Sequence, residues 1–577
     1  MKRSEFVSGS VVLLSLAGAA NARTLAAVLT NPAGYPISAE IFTTRQHAVM
    51  PGLTPWGIDT IYPYEVTKYR AAGYGRWHYG DGLASAKRLD LMPAGYAGAQ
   101  AAGGMDLNGP PAANSAKLLS FFTITDIHIT DKESPAQAIL LGYKGGLSSA
   151  YSPVMLYTTH VLDAAVQTIN AIHKQDPFDF GISLGDASNN TQFNEVRWYV
   201  DVLDGKAIDP ASGATGSTAQ RVGYQQPYQA AGLDKTIPWY QALGNHDHFW
   251  MGSLPVDEYL RQTYLGDTIL NLGNAFKYGT QSRGFYMGSI DGRTPYGDVI
   301  GVGLVKDFAS PPRIRAADPQ RRSLSRKEWM NEFFSTTSGP VGHGFGTSNV
   351  ENDFASYSFE PKSGMPIKMI VLDDTQNEND RSAGGYGHGS LDKSRFDWLV
   401  TELDAGQTGG KLMIVAAHVP IGVEPAGSPV GWWSDAEVSE ATLLAKLHEY
   451  PNLILWIAGH RHVNAITALK SPDPARPELG FWEVETSSLR DFPQQFRAFD
   501  IVRNSDDTIS IFATDVDPAV KEGTPAAISR SYAVAAQQLF KNERVEPPTG
   551  SSNAELVEQL APEMRAKMRN YGKPVRT

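Results

Sequence analysis

Residues Leu453–Ala465 read LILWIAGHRHVNA: an unbroken apolar run, a glycine, then His460 and His462 on either side of Arg461. A short apolar run closed by a turn residue has the pattern of a strand buried on both faces. Two histidines placed directly after such a strand are either a metal-capable pair or two surface histidines. The rest of the chain has to distinguish these.

The same arrangement recurs along the sequence. FFTITDIH ends in Asp126 and His128, and GISLGD ends in Asp186. YQALGNHD ends in Asn245, His246 and Asp247, and MIVAAH ends in His418. Between these runs, apolar residues fall at helical spacing: Val161, Leu162, Ala165, Val166, Ile169 and Ile172 within 154–173, and Phe396, Leu399 and Val400 within 392–403. QFNEVRWYVDVL and the segment 436–450 read as further helices. Strands alternating with amphipathic helices predict an α/β core. In such sheets, ligands bind at the carboxyl ends of the strands. One His after a strand is common by chance. Five strand ends that each deliver a metal-capable or acid/base group point to one shared site.

The remaining chain sets the boundaries. With 577 residues, more than one structural unit is expected, and a net charge of -11 argues against a phosphate-gripping nucleic-acid binder. Lys2 and Arg3, the apolar VVLLSLAGAA and the small-residue ANA predict a signal peptide over 1–22, with either a general secretory or a degenerate twin-arginine pattern. The expected location is therefore periplasmic or secreted. No later window is long and apolar enough to span a bilayer. Residues 23–115 read as an N-terminal extension and linker, and 116–518 as the main domain, with insertions at about 204–236 and 264–356. The second insertion is a candidate lid with a hairpin in GFYMGSIDGR. GFWEVETS, FRAFDIV and TISIFAT read as closing antiparallel strands. The tail, 519–577, is expected to carry one helix over NAELVEQLAPEMRAKM, kinked at Pro562.

The chemistry narrows with composition. The chain has no cysteine, so a metal has only histidine, carboxylate and amide ligands, a set that suits Mn, Fe, Zn or Co. Two divalent cations about 3.5–4 Å apart can engage both the attacking and the leaving oxygen of a phosphoryl displacement. Holding them that close needs a bridging anion, for which Asp186 is the best candidate. Asp126, His128 and His462 would complete one ion, and Asn245, His418 and His460 the other. Gly185, Gly244 and Gly459 let the chain turn sharply beside these ligands.

In their order, DIH, GDASNN, GNHD, AAH and GHRH resemble the calcineurin-like metallophosphoesterase superfamily, in an exported, bacterial-type form. The resemblance covers roughly Ala116–Val516 outside the two insertions. It implies a four-layer α/β/β/α sandwich of two mixed sheets flanked by helices, with two metal ions at the sheet edges. It also implies that His246 is not a ligand but faces the substrate as general acid or transition-state stabiliser, oriented by Asp247. Purple acid phosphatases, which resemble this family, carry a tyrosine three residues after the bridging aspartate. Here that residue is Asn189, which speaks against a purple ferric site. The expected function is hydrolysis of a phosphate mono- or diester by a metal-bound water or hydroxide. The alternative is a non-catalytic metal- or phosphate-binding module on the same fold.

Other polar residues are read as structural. Ser183 in GISLG lies within a strand, so the match to a serine-hydrolase elbow is chance. His248 is assigned a supporting role, His343 and His388 are read as solvated loop residues, and Arg461, Arg490 and Arg497 as surface groups. No substrate-binding residue is assigned, and the oligomeric state is left open.

Overall fold

The computed structural model describes residues 28–55, 61–97, 115–213, 221–273, 279–292, 294–380, 385–425, 427–540 and 550–574. The expected signal segment lies outside these residues.

Taken in chain order, the elements that build the site are β1 (Ser85–Arg88), β2 (Ala116–Ile124), α1 (Thr158–His173), β3 (Phe180–Ser183), α2 (Phe193–Asp204) and β4 (Trp239–Gln241). A hairpin follows, β5 (Phe285–Ile290) and β6 (Val299–Leu304). Then come β7 (Tyr357–Phe359), β8 (Ile367–Val371), α3 (Lys393–Thr408), β9 (Leu412–Ala416), α4 (Glu440–Leu447), β10 (Leu453–Ala458), β11 (Ala465–Leu469) and β12 (Phe481–Glu485). The chain closes with β13 (Phe496–Arg503), β14 (Ile509–Val516), α5 (Pro525–Leu539), β15 (Asn553–Glu558), α6 (Pro562–Met568) and β16 (Lys573–Pro574).

Two large mixed sheets result. One has eight strands in the order β4-β3-β2-β13-β14-β15-β1, with β16 pairing beside the start of β2. The other has six, β7-β8-β9-β10-β12-β11. In the first, β2, β3 and β4 run parallel, joined through α1 and α2. In the second, β8, β9 and β10 run parallel, joined through α3 and α4. Parallel strands joined through helices direct all their carboxyl ends to one edge.

Alternation along the strands separates two cores. In β9, Leu412, Ile414 and Ala416 face the core shared by the sheets, while Met413 and Val415 face a second core with Leu399 and Leu403 of α3 and Leu443 and Leu447 of α4. Between the sheets, the Phe121 ring stacks on Phe180 at 4.9 Å and on Phe499 at 4.8 Å. Helices α1 and α2 cover the outer face of the eight-stranded sheet through residues such as Val166, Ile169, Val196 and Val200, all buried. The architecture is therefore helix, sheet, sheet, helix.

Four sequence expectations change. The strand in GFWEVETS is antiparallel to β11 on one side only. On its other side it lies parallel to β10, with Leu455 opposite Trp482. NAELVEQLAPEMRAKM is not one helix: its first half is β15, paired with β14 from Asn553↔Thr514 to Glu558↔Ile509, and only Pro562–Met568 is helical. A free edge of β14 offers a row of unpaired backbone groups, and pairing with it overrides a helical apolar spacing. A long helix, α5, also forms in the tail where none was expected. The candidate lid is partly structural. Its second half lines the edge strand, where Trp239 N donates to Gly339 O at 3.0 Å and Gln241 N to His343 O at 3.0 Å. It also buries Trp329, Phe333 and Phe345 in the main core, with Phe333 against Tyr199 of α2 and Trp239 of β4. Among the described residues, no helix is long and apolar enough to cross a membrane.

Residues from both sides of 116–518 enter the large sheet, since β15 pairs in parallel with β1 from the N-terminal extension.

Candidate metal centre

Five turns at the parallel strand ends meet where the two sheets abut. Asp126 and His128 follow β2, Asp186 follows β3, Asn245 and His246 follow β4, His418 follows β9, and His460 and His462 follow β10. Most of these groups are fully buried, and His460 and His462 are the more accessible members.

The backbone shows how closely the turns are forced together. Asp126, His128, Asp186, His460 and His462 have φ of 50°, 46°, 52°, 68° and 56°, the left-handed region that side chains with a Cβ avoid. Strain of this kind persists only where surrounding structure fixes it, and it concentrates at functional sites. Of the neighbouring glycines, Gly185 takes a positive φ of 103°. Gly244 instead provides room: a Cβ there would stand 2.2 Å from Asp186 Oδ1.

Lone-pair atoms converge around Asp186. Its Oδ2 lies 3.6 Å from His128 Nε2 and 3.4 Å from His418 Nε2, so one oxygen faces both halves of the cluster. Its Oδ1 accepts from His246 N at 2.8 Å. In one half, Asp126 Oδ1 lies 3.2 Å from His462 Nε2 and 3.8 Å from His128 Nε2, and the two imidazole nitrogens are 3.2 Å apart. In the other, His418 Nε2 stands 2.9 Å from Asn245 Oδ1 and 3.3 Å from His460 Nδ1.

Groups behind these atoms decide which atom faces inward. His418 Nδ1 donates to Leu184 O at 2.8 Å, and His462 Nδ1 pairs with Asp491 Oδ2 at 2.7 Å. Each leaves Nε2 directed at the cluster, the way an outer hydrogen bond fixes a metal-binding tautomer. Asn245 Nδ2 donates to Gly252 O at 3.0 Å, so its carbonyl oxygen is the atom turned inward. Asp126 Oδ1 is buried and has no hydrogen-bond partner among the described residues. Buried acceptors facing acceptors are costly unless a cation lies between them. The donor set therefore fits bound metal, with Asp186 facing both halves of the cluster.

Charge sharpens the point. Burial raises the Asp186 carboxyl, but His418 and its neighbours outweigh it and hold it below the usual carboxylate range. Asp126 is likewise held low, by His462 and His128 against burial. Burial lowers His418, yet Asp186 raises it to about 10; His462 reaches about 10 through Asp126 and Asp491. Without cations, protons do the neutralising. Ligation requires these imidazoles to lose them, so ion affinity must fall with pH.

His246 stands with the cluster, a ring nitrogen within 4.8 Å of ligand atoms of His128 and Asp186. Its ring meets His128 edge-on at 4.5 Å, and its Nδ1 donates to Asn189 O at 2.8 Å. Burial, above all, lowers its pKa to about 3, so the ring is neutral and Nε2 carries the lone pair. The expected orienting role of Asp247 is not what this carboxylate does. It accepts from Asp186 N and Gly244 N at 2.9 Å each and from Ser188 N at 3.1 Å, tying the second and third turns together. The carbonyl of Asn189 orients His246 instead.

Other expectations also shift. Arg461 is not a surface group: it forms ion pairs with Glu485 and Glu424 beside the centre. Arg490 and Arg497 are fully buried. His343 and His388 are buried as well, His343 stacked on Trp239 at 3.5 Å. His248 keeps its supporting role, with Nε2 3.0 Å from Thr375 Oγ1. Ser183 ends β3 in strand conformation and is no elbow. Two residues escaped the sequence reading: Asp491 behind His462, and Asp374, which accepts from His418 N at 3.1 Å. Asp374 closes IKMIVLDD, a sixth strand ending in polar residues, so its signal was present. Asp491 lies in a loop with no periodic signal.

No family model and no curated protein sequence matches the chain. Among solved structures, it is similar to a dimetal phosphatase from Danio rerio, at 12% identity and a TM-score of 0.36, over 70% of this chain and 100% of that one. It is also similar to GAP50, the anchor in the inner membrane complex of Plasmodium, at 12% identity and a TM-score of 0.29, over 73% of this chain and 95% of that one. Both overlaps are distant, and the reading of the site rests on its own residues. Two mixed sheets flanked by helices carry a buried cluster of aspartate, asparagine and histidine where their parallel strands end.

Proposed function

We propose that the protein is a dinuclear-metal phosphoesterase, a hydrolase acting on phosphate esters. The observation that carries this reading is the position of Asp186 Oδ2 between His128 Nε2 and His418 Nε2, at 3.6 and 3.4 Å, with lone-pair atoms from four other turns around it. One ion would take Asp126, His128, His462 and Asp186, the other Asp186, Asn245, His418 and His460. Bound there, two divalent cations of the Mn, Fe, Zn or Co group supply Lewis-acid chemistry, activating a water and drawing charge from phosphoryl oxygens.

The chain's own residues supply the rest. Asp491, the Leu184 carbonyl and the Gly252 carbonyl hold His462, His418 and Asn245 in the ligating orientation. Asp247 fixes the spacing of the turns that carry Asp186 and Asn245. His246 keeps one proton on Nδ1, anchored to Asn189 O, and presents Nε2 to the ester. The negative charge of a bound phosphate favours protonation of Nε2, which then delivers that proton to the leaving oxygen. Burial of nearly every member keeps bulk water away and strengthens each of these interactions.

The test is metal analysis and turnover of p-nitrophenyl phosphate and bis(p-nitrophenyl) phosphate by the Mn-loaded chain. Wild type should hold two ions and hydrolyse at least one ester. Asp186→Ala should lose the ions and lower turnover by about 10³-fold or more. A chain that holds two ions and turns over neither ester is the binding module instead.

A further inference from the structure

Arg490 is buried beside Asp491 with part of its guanidinium unmatched. Its side chain is 1% exposed, yet its Nε and Nη2 have no hydrogen-bond partner among the described residues. Only Nη1 is engaged, donating to Asn189 Oδ1 at 3.0 Å. Guanidinium groups do not deprotonate in proteins, and a buried donor left unmade costs free energy. Nε–H and the adjacent Nη2–H form the side edge of the guanidinium fork, the edge that matches two oxygens of a phosphate at once.

The position of this edge is fixed from three directions. Asn189, which holds Nη1, also accepts from His246 Nδ1 through its backbone carbonyl. The next residue, Asp491, holds His462. Two residues earlier, Ser488 Oγ donates to Asp126 O at 2.7 Å and accepts from Arg490 N at 2.9 Å. Arg490 is therefore anchored to the turns of both Asp126 and Asp186, on the side where His246 meets His128.

We propose that Arg490 is a substrate-binding residue whose free Nε–Nη2 edge receives terminal phosphate oxygens beside His246, and that it selects phosphomonoesters over diesters. The proposal rests on the phosphoesterase reading above. A monoester dianion carries three non-ester oxygens, enough to serve the metal ligand cluster and still satisfy a guanidinium edge. A diester carries two and a single charge. Its second ester group would leave a desolvated cation facing a poor acceptor.

The test compares wild type, Arg490→Lys and Arg490→Gln, all full-length and Mn-loaded, on p-nitrophenyl phosphate and bis(p-nitrophenyl) phosphate. Metal content is checked by mass spectrometry, and inorganic phosphate serves as inhibitor. Wild type should prefer the monoester. Both variants should lose about 100-fold in kcat/KM on the monoester and less than about fivefold on the diester, with weaker inhibition by phosphate and unchanged metal content, since lysine keeps the charge but not the fork. Equal losses on both esters, or a wild type that prefers the diester, would overturn the proposal. If the arginine variants do not fold, Asn189→Asp keeps Arg490 and places a carboxylate against it. The monoester rate should then fall by about tenfold with the diester rate spared, and equal effects would again overturn it. If wild type holds two ions but hydrolyses neither ester, the phosphoesterase reading fails separately. Calorimetry with inorganic phosphate then decides Arg490: binding weakened in Arg490→Lys supports the subsite, and unchanged binding removes it.

Discussion

The cluster around Asp186 and the cluster around Glu485 are equally buried, lie side by side and differ in what faces what. Three consecutive residues serve both, His460 and His462 the first and Arg461 the second, as the left-handed turns at His460 and His462 allow. Around Asp186, acceptor atoms point at one another: Asp126 Oδ1, Asp186 Oδ2, Asn245 Oδ1 and imidazole nitrogens. Around Glu485, arginine donors meet acceptors, although both oxygens of the neighbouring buried Glu483 have no hydrogen-bond partner among the described residues. Arg461 Nε lies 2.6 Å from Glu485 Oε2, and Arg497 Nη2 reaches Asn464 Oδ1 and the Glu485 and Ser551 carbonyls at 3.1 Å each. Burial and charge alone therefore do not mark a metal site. Convergence of imidazole, amide and carboxylate atoms from five turns on one shared carboxylate does.

This contrast can be broken by experiment. Arg461→Met should strip Glu485 of its partner and destabilise the fold by about 3–5 kcal/mol in denaturant titration, the usual consequence of leaving a buried charge uncompensated. Bound metal in the folded fraction should stay at the wild-type level, and a loss of metal without a loss of stability would mean that the two clusters are one. Asp491→Asn probes the other side. Removing the charge behind His462 should weaken metal affinity by about 10–100-fold, read by competition with a chelator, with a smaller effect on the metal-free fold. Equal metal affinity would show that Asp491 serves packing alone. The third effect belongs to neither cluster and appears only in acid. Burial lowers the His343 pKa to about 4, while the unfolded chain titrates near 6.5. The unfolded state then binds the extra proton between these values, so stability is intact above the unfolded value and drops by about 1.4 kcal/mol per pH unit as acid is added. His343→Asn should flatten that slope in thermal melts between pH 6.5 and 4, and an unchanged slope would place the acid sensitivity elsewhere.

The residues that sequence reading placed and misplaced divide along the same physical line. Apolar runs such as LILWIA and LMIVA report their own burial, because period and composition are local properties. Helix starts at Asp392 and Ser439 were recoverable within a few residues, since Asp392 Oδ1 accepts from Arg395 N at 2.9 Å and Ser439 Oγ from Thr442 N at 3.2 Å. Arg490 and Arg497 carry no local mark of burial, and long charged side chains normally lie in water. Their place was decided by what packs over them. For Asp247, the family resemblance implied a carboxylate orienting His246, but the turns brought three backbone N–H groups to it instead.

The sequence by itself determined that the strand ends of two parallel runs carry histidine, carboxylate and amide groups, and which side chains those are. That follows from short-range patterning, in which an apolar run must stop and its last residues must turn. Only the tertiary structure decided which groups meet. His128 and His462 stand 334 positions apart in the chain and 3.2 Å apart in space. It also decided that Asn553–Glu558 is a strand and that GFWEVETS joins the second sheet. Pairing partners, left-handed turns and the enclosure of Arg490 depend on segments remote in sequence, and no local pattern contains them.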